Sequence, residues 1–478
     1  MNTSRTRRDF LKTVGAGAAL LAMSPQGFCD GGSQKPNIVI IVADDLGWAD
    51  VGYHGGYVAT PSVDRLAREG VRLENFHACP LCSPTRAGLM TGRWPIRYGM
   101  GEAVITPWRK YGLPTNELTL ADLVARAGYE RRGVIGKWHL GHYKKKYLPL
   151  NRGFTYFYGH YNGAFDYFTH KREGQLDWHR NFETCHDEGY STDLIGREAA
   201  KFITESPADK PFFLYVPFNA PHLPLQAKER DIAKYSHIGN EKKRIYAAMV
   251  DSMDQAIGGI LDALDAKGIA DNTFVLFFSD NGGTSYGDNT PWRSGKGAVY
   301  EGGVRVPAVV RWPAGIAGRR RVDAMMGYID VYPTVKRLAG VTGPDPNPLD
   351  GRDMLDVIRG DAKAPKRDWF SYIAQGSPDK IAICDGTWKL AVVGGSVLDV
   401  TVEQAVRTED SKTKPSVELF NLDRDPGERT NLVAERPDIV AKLLERLKEF
   451  RRLKISGVPD FQEGRKGFKA PKDWMIAQ

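Results

Sequence analysis

Two acidic pairs in the sequence have the chemistry of a metal site. Each pair directly follows a continuous apolar run, and the pairs are Asp44 with Asp45 and Asp280 with Asn281. All four side chains offer hard oxygen ligands, which suit Ca²⁺ or Mg²⁺ better than zinc. A single Asp after a strand is commonly a turn former or a helix cap, but two such pairs favour a metal. The residue types therefore predict one hard cation and leave Ca²⁺ and Mg²⁺ open.

Five basic side chains could neutralise an anion bound beside that cation. They are Arg86, Lys137, His139, His222 and Lys296. A metal that polarises one ester oxygen, with cations around the others, suits a tetrahedral oxyanion. The substrate is therefore predicted to be a sulfate or a phosphate ester, and the residue types do not choose between the two.

Cys82 begins the segment with the most specific spacing. It forms a CxxC pair with Cys79, which alone would suit a redox pair. The segment from residue 82 to residue 93 reads Cys-Ser-Pro-Thr-Arg-Ala-Gly-Leu-Met-Thr-Gly-Arg. Pro84 suits the first turn of a helix, which would place residue 82 near the positive N-terminal end and Arg86 one turn further on.

Apolar runs that alternate with helical patterns predict an α/β fold with a large mixed, mostly parallel central sheet flanked by helices. The predicted buried strands are 37–43, 133–135, 211–218 and 273–279, and the predicted helices are 63–69, 118–127 and 246–264. Gly268 is expected to cap the last of these helices. Ligands of open α/β sheets bind beyond the carboxyl ends of the strands, so the polar residues there, including Asn219, should converge on one crevice.

The pattern changes near Lys366. Short alternating strands are predicted at 369–373, 380–384 and 388–392, followed by a helix at 439–450. We therefore predict a catalytic domain at 35–365 and a small C-terminal α+β subdomain with an antiparallel sheet at 366–478, after an export signal at 1–32.

The segment that begins at Cys82 resembles the signature of the sulfatase family, Cys-x-Pro-Ser/Thr-Arg followed by Leu-x-Thr-Gly-Arg. This family is formylglycine-dependent and alkaline-phosphatase-like in fold. Further blocks resemble the same family at 36–47, 136–141, 221–224, 279–283, 418–422 and 425–432. Within the family the likeness is greatest to the arylsulfatase B or N-acetylgalactosamine-4-sulfatase type, through 80–82, 92–97, 152–154, 289–296 and 301–305.

The resemblance implies how residue 82 and the metal would act. A formylglycine-generating or sulfatase-maturing enzyme would oxidise Cys82 to formylglycine, whose hydrate would supply the nucleophile. One Ca²⁺ per chain would be bound by an oxygen of residue 82 together with Asp44, Asp45, Asp280 and Asn281.

The resemblance also implies roles for the basic residues. Arg86 would orient and stabilise the aldehyde hydrate, while Lys137 and Lys296 would hold sulfate oxygens. His222, with Lys296 close by, would protonate the leaving alcohol. His139 would take the proton of the second hydroxyl, so that sulfate is expelled and the aldehyde returns.

These roles imply a sulfuric ester hydrolase that acts on an aryl sulfate or a sulfated carbohydrate, with a 4-O-sulfated galacto-configured sugar favoured. Two alternatives stay open: a phosphonate or phosphate ester hydrolase on the same core, and a non-catalytic sulfated-glycan binding protein with unmodified Cys82. Aromatic and polar residues in loop-like stretches could line a sugar site, namely Trp108, Arg109, Tyr161, Asp166, His170 and Trp178.

The composition limits the classes of partner that the protein is expected to bind. The 478-residue chain has a formal net charge of +8, which favours acidic partners, but no basic stripe with interleaved aromatic residues indicates nucleic acid. No stretch after the first thirty residues is long and apolar enough for an integral membrane span. Five cysteines are too few for a disulfide scaffold, and the pairing of Cys79, Cys185 and Cys384 stays open.

The first residues resemble a twin-arginine export signal. Arg7 and Arg8 precede an apolar run at 14–23, which predicts a periplasmic or extracellular protein that uses the twin-arginine export machinery. That machinery moves folded proteins, so Cys82 could be converted before export. A lipid anchor at Cys29 is not favoured, because Phe28 is too large for that signal.

Overall fold

Five parallel strands form the centre of the protein. The structure is a computed structural model, and it describes residues 35–376, 378–407 and 415–476. The predicted export signal and Cys29 lie outside the described residues. From Pro36 onward, the described residues form one compact unit.

Within the described residues, the strands combine into one large sheet and three small ones. Their bounds are β1 Asn37–Ala43, β2 Val71–Leu73, β3 Phe76–His77, β4 Arg131–Lys137, β5 Tyr156–His160, β6 Lys171–Arg172, β7 Gln175–Leu176, β8 His179–Arg180, β9 Glu183–Thr184, β10 Phe212–Pro217, β11 Thr273–Ser279, β12 Ala308–Arg311, β13 Arg320–Val322, β14 Met326–Gly327, β15 Trp369–Ile373, β16 Lys380–Cys384, β17 Trp388–Val393 and β18 Ser416–Asn421. The large sheet has ten strands in the order β13-β2-β12-β11-β1-β10-β4-β5-β8-β9.

The parallel centre of this sheet is β11-β1-β10-β4-β5, and antiparallel strands extend it on both sides. The predicted α/β fold with a mixed, mostly parallel sheet is therefore confirmed. Because parallel strands present their carboxyl ends at one edge, the residues after β1, β4, β10 and β11 share that edge.

The helices cover both faces of the sheet. Their bounds are α1 Pro61–Glu69, α2 Cys82–Thr91, α3 Leu120–Ala125, α4 Ser191–Glu205, α5 Glu229–Lys234, α6 Glu241–Ala266, α7 Glu301–Val304, α8 Val331–Leu338, α9 Leu355–Arg359, α10 Val402–Arg407 and α11 Pro437–Arg452. Gly268 follows α6 with a φ of 71°, as a left-handed cap requires.

Strand β1 shows why its apolar run is continuous. Ile38, Ile40 and Val42 face one core layer, whereas Val39 and Ile41 face the other, and all five are fully buried. The second layer is filled by α1, α4 and α6, and the first by α2, α3 and α8. A strand covered on both faces has no polar side to alternate with.

The C-terminal strands form an antiparallel sheet in the order β15-β16-β17-β18, with α11 packed against it. Its core is continuous with the main core, since Trp94 makes edge contacts with both Trp369 and Phe450. The antiparallel subdomain is confirmed, while its boundary at residue 366 stays a prediction. Within the part of the chain that the structure describes, no helix is both long and apolar enough to cross a membrane.

Candidate active site

Cys82 is the first residue of helix α2, as the position of Pro84 predicts. Thr85 fixes this first turn, because its hydroxyl accepts a hydrogen bond from the Cys79 amide and donates one to the Leu81 carbonyl. Cys82 is buried, and burial raises the pKa of its thiol even though Lys137 and Lys296 act to lower it. In the unmodified protein this residue is therefore a neutral thiol and a poor nucleophile.

His139 contacts Cys82 directly. Its Nδ1 atom lies 3.3 Å from Sγ of Cys82, and its Nε2 atom lies 2.9 Å from the carbonyl oxygen of Ile105. A carbonyl oxygen only accepts, so Nε2 carries the proton and the lone pair of Nδ1 points at residue 82. Burial and the charge of Lys137 lower the pKa of His139 well below its ordinary value. The imidazole is therefore a neutral hydrogen-bond acceptor.

Arg86 lies one turn after Cys82 and is completely buried. Its Nε and Nη2 atoms donate to Oδ2 of Asp280 at 2.9 and 2.7 Å, and Nη1 donates to the carbonyl oxygen of Lys137 at 3.2 Å. Burial acts to lower the pKa of Arg86, but Asp280 and other neighbouring groups, among them Asp44, together raise it overall. This pairing joins α2 to the end of β11.

Two lysines pair with the first acidic pair. Lys137 donates to Oδ2 of Asp44, and Lys296 lies 2.6 Å from Oδ1 of Asp45, which also accepts from Nδ2 of Asn281 at 2.8 Å. Burial acts to raise the pKa of Asp45, yet Lys296 and its other partners lower it overall. The acidic pairs and the lysines thus converge as the strand ends predict.

His222 lies at the rim of this cluster, with Nε2 3.7 Å from Oδ2 of Asp45 and a side chain that is 18% exposed. Its Nδ1 atom lies 2.6 Å from the carbonyl oxygen of Leu223, so Nδ1 carries the proton and Nε2 faces the site. Burial and the charge of Lys296 lower the pKa of His222 to about 3. The imidazole is neutral in this structure, as that of His139 is.

The donor set fits a hard cation. Oδ1 of Asp44 and Oδ1 of Asn281 are buried and accept no hydrogen bond from the residues that the structure describes. Such orphaned oxygens are costly unless a cation or a donor compensates them. Burial and the Asp44 carboxylate also raise the pKa of Asp280 to about 6, an effect that a bound cation would oppose. Oxygens of Asp44 and Asp280 lie within 4.8 Å of each other and of the Cys82 sulfur.

The backbone at two site residues is strained. Asp45 and His139 adopt φ values of 72° and 55°, in the left-handed region that non-glycine residues seldom occupy. Such strain persists when the surroundings hold the residue in place, and it concentrates at functional sites. Here it occurs at a candidate metal ligand, Asp45, and at the imidazole residue that contacts residue 82.

The sequence interpretation missed Ser83, which stands at the unspecified position of the signature. Its hydroxyl donates to the carbonyl of His139 and accepts from the amide of Ile105, both at 3.0 Å. Ser83 therefore holds the segment of His139 and the carbonyl that fixes its tautomer. In the sequence, the one indication of this role is that a small polar residue directly follows the position of the nucleophile.

A buried charge network supports the loop of Lys296. Lys389 of β17 lies 2.8 Å from Glu301 and 3.0 Å from Glu428, and Glu428 accepts from the Glu301 amide at the start of α7. All three side chains are at most 2% exposed. The C-terminal subdomain thus fixes the segment that follows Lys296.

Several other expectations need correction. Tyr161 and Trp178 are buried, with Trp178 stacked between Phe165 and His170, so they cannot line a sugar site at the surface. His170 and Arg109 are also buried, and Asp166 closes a turn by accepting from the amides of residues 168 and 169. Of the six, Trp108 and Asp166 keep partial exposure, and the Trp108 indole donates to the carbonyl of residue 461. Tyr161 and Trp178 belong to the hydrophobic core.

The redox-pair interpretation of Cys79 also fails. Its thiol donates to the hydroxyl of Tyr328 at 3.0 Å, and burial raises its pKa to about 12. The cysteines of the described residues, Cys79, Cys82, Cys185 and Cys384, are all free. Cys79 is thus a packing residue beside the nucleophile position.

One edge of the α/β sheet thus holds oxygen ligands for a hard cation, buried basic side chains and the N-terminus of helix α2. This combination is typical of enzymes that hydrolyse sulfate or phosphate esters. The family model for Sulfatase matches residues 36–341. The chain belongs to the sulfatase family and is therefore a sulfuric ester hydrolase.

Relatives of known sequence and structure agree with this assignment. The chain is 33% identical to arylsulfatase J of Mus musculus, over 89% of this chain and 77% of that protein. It is 32% identical to N-acetylgalactosamine-6-sulfatase of Mus musculus, over 92% and 91%. The crystal structure of Ps i-CgsB superposes with a TM-score of 0.81 at 30% identity, over 91% of this chain and 96% of that one. The likeness to the 4-sulfatase type stays a prediction.

Proposed function

We propose that this sulfatase hydrolyses O-sulfate esters of a polysaccharide or its oligosaccharides, with a formylglycine at position 82 and one bound Ca²⁺. The observation that carries the proposal is the contact between Cys82 and the unprotonated Nδ1 of His139, beside the orphaned oxygen of Asp44. A thiol buried there as a neutral group has no use in hydrolysis. An aldehyde hydrate there would have a metal, a base and an arginine around it.

Each group would supply a distinct part of the chemistry. Ca²⁺, held by Asp44, Asp45, Asp280 and Asn281, would act as a Lewis acid on a sulfate oxygen and lower the charge repulsion toward the nucleophile. Formylglycine would supply a hydroxyl nucleophile and a second hydroxyl that permits release of sulfate.

The chain's own residues would move the protons. Nδ1 of His139 faces residue 82 and would accept the proton from the second hydroxyl of the formylglycine hydrate. Arg86, which is itself fixed by its bonds to Asp280, would hold residue 82 in place. Lys137 and Lys296 would orient sulfate oxygens from the far side of the cluster. Protonation of the leaving alcohol is assigned to His222 together with Lys296, because both lie at the rim where a sugar would leave. Nε2 of the neutral ring carries no proton in this structure, so it would relay one from the Lys296 ammonium to the alcohol.

The sugar itself is proposed from likeness. The related mouse protein is an N-acetylgalactosamine-6-sulfatase, and a structure related at 29% identity is Ps i-CgsB in complex with k-i-k-neocarrahexaose. Loop stretches at 289–296 and 301–305 resemble the 4-sulfatase type. We therefore propose a galacto-configured sugar with a 4-O-sulfate, in an exported protein matured by a formylglycine-forming enzyme.

Two comparisons test this function. Purified enzyme would be assayed on matched nitrophenyl sulfate and nitrophenyl phosphate, and then on defined mono- and oligosaccharides that differ only in sulfate position. We expect sulfate to be preferred over phosphate by orders of magnitude, and the 4-O-sulfated galacto sugars to be desulfated fastest. A preference for the phosphate would contradict the metal-and-base arrangement proposed here.

Variants at position 82 test the nucleophile. Cys82→Ala should abolish sulfate-ester turnover without unfolding the protein, because the buried residue has a small side chain. Cys82→Ser should allow at most one event per active site, since a serine lacks the second hydroxyl. Near-normal multiple turnover by either variant would contradict the formylglycine mechanism.

A further inference from the structure

An open groove rich in arginine lies at the edge of the ten-stranded sheet. It has a volume of about 630 Å³ and is lined by five arginines and one acidic residue, namely Arg68, Arg72, Arg319, Arg320, Arg321 and Asp64. None of these residues belongs to the catalytic cluster. We call these six residues the arginine groove.

The backbone brings these arginines together. The edge strand β13 pairs in parallel with β2, which sets Arg321 beside Arg72. Gly318 packs so closely on the Glu69 carbonyl at the end of α1 that a Cβ there would lie 1.8 Å from that oxygen. The next residue, Arg319, has a φ of 59°, which is uncommon for a residue with a side chain. The loop is therefore held against the end of α1, which carries Arg68.

Only part of this positive charge is compensated. Arg72 lies 3.3 Å from Glu74, Arg321 lies 2.6 Å from Asp323, and the guanidinium of Arg320 donates to the Arg359 carbonyl. Exposed Arg68 and Arg319 make no ion pair or side-chain hydrogen bond with any residue that the structure describes.

The one carboxylate that lines the arginine groove offsets only one of these five positive charges. Asp64 accepts hydrogen bonds from the amide of Tyr53 and the hydroxyl of Thr60, at 2.8 and 3.1 Å. It therefore serves the local turn. Several guanidinium groups without matching acids repel one another, and a polyanion that enters the groove would relieve this repulsion.

We propose that the arginine groove binds sulfate groups of a sulfated polysaccharide chain, away from the ester that is hydrolysed. This inference rests on the proposed function, because it takes the sulfated polymer as the enzyme's natural ligand. Guanidinium groups present a planar fork of N–H donors that matches the oxygens of a sulfate group. The groove is open to solvent, as a chain-like ligand requires. One ring lines it, that of Tyr53, and this ring packs on His54 and offers no platform for a nucleic-acid base.

Binding by full-length variants tests the proposal. The Cys82→Ala background prevents turnover, and the probes are ι-carrageenan, the same polymer after chemical desulfation, alginate and duplex DNA. The test variant is Arg68→Gln/Arg319→Gln, which removes two unpaired charges without leaving an acid unpaired. The matched control is Arg126→Gln/Arg197→Gln, which removes two exposed arginines that also make no ion pair with described residues.

The test variant should bind ι-carrageenan about fivefold more weakly at low salt and show a weaker salt dependence, whereas the control should bind as the parent does. In the Cys82 enzyme, the test variant should raise KM for the sulfated polymer and leave turnover of nitrophenyl sulfate unchanged. Equal binding by both variants, or duplex DNA bound as tightly as ι-carrageenan, would overturn the proposal. Failure of the proposed function would be seen separately, as absent desulfation by the unaltered enzyme.

Discussion

The Nδ1 atom of His139 lies 3.3 Å from the sulfur of Cys82, while its Nε2 atom is fixed as a donor by the carbonyl of Ile105. This arrangement sets the tautomer of the ring before any substrate arrives. The lone pair of Nδ1 therefore points at residue 82, where it can act as a general base.

His139→Ala should slow the later half of the reaction. We expect kcat for nitrophenyl sulfate to fall by about 10² to 10⁴, as is usual for loss of a general base. Stopped-flow measurement should show release of about one equivalent of nitrophenol per active site before the slow phase. The exposed His237 provides a control, and His237→Ala should behave as the unaltered enzyme. Loss of the rapid first release in His139→Ala would instead assign His139 to an earlier step.

His222→Ala should affect substrates according to their leaving groups. Nitrophenolate leaves readily without a proton, whereas a sugar alkoxide does not, so an acid at the rim matters mainly for the sugar. We expect kcat/KM to fall by about 10² or more for a sulfated sugar and by less than about tenfold for nitrophenyl sulfate. Steady-state assays of both esters measure this ratio. Equal losses on the two esters would show that His222 has a different role.

The orphaned oxygens of Asp44 and Asn281 predict stabilisation by Ca²⁺. A ligand at about 100 times its Kd stabilises the folded state by about 2.7 kcal/mol, so Ca²⁺ should raise the Tm of the chelator-treated enzyme by several degrees. Asn281→Ala should lose most of this shift in differential scanning calorimetry. Asp262→Asn removes an exposed carboxylate and should keep it. A full Ca²⁺ response in Asn281→Ala would contradict the ligand assignment.

Asp254 predicts a pH effect on stability that is independent of the active site. Its buried carboxylate accepts hydrogen bonds from the amides of Ser62 and Val63 at the start of α1, and burial raises its pKa to about 6. The unfolded pKa is about 3.9, so the folded state binds the proton more tightly and stability falls as pH rises between about 4 and 6. This contribution is fully present below the unfolded pKa.

Urea unfolding of Asp254→Asn between pH 4.5 and 6.5 measures this contribution. Over this range the unfolding free energy of the variant, relative to that of the unaltered enzyme, should rise by about 2 kcal/mol. Asp262→Asn should show no such trend. A relative fall for Asp254→Asn would mean that the carboxylate is stabilised in its charged form.

Much of the catalytic site was predictable because its residues follow apolar runs. The strands Asn37–Ala43 and Thr273–Ser279 were predicted with their observed bounds, since a strand buried on both faces leaves a continuous apolar signal. The ends of parallel strands then bring the acidic pairs together without further information. The sulfatase signature indicated which residue, Cys82, is the precursor of the proposed nucleophile.

Other features depend on contacts that no local pattern encodes. Strand β4 extends to Arg131–Lys137, beyond the predicted 133–135, because charged Arg131 and Arg132 begin it and pair with β10. The sequence around Trp178 and Tyr161 is typical of loops, yet tertiary packing buries both side chains. The arginine groove is assembled from α1, β2 and, more than two hundred residues later, β13 with the preceding Arg319, so it is visible only once the sheet order is known.

The central claim is that residue 82 of the active enzyme is an aldehyde. The direct measurement is the mass of the peptide that contains residue 82, taken from the native host and from a preparation that turns over nitrophenyl sulfate many times. The account predicts that the CH₂SH side chain is replaced by CHO in a fraction of molecules that matches the active-site titre. A fully active preparation whose residue 82 is an intact cysteine would contradict it.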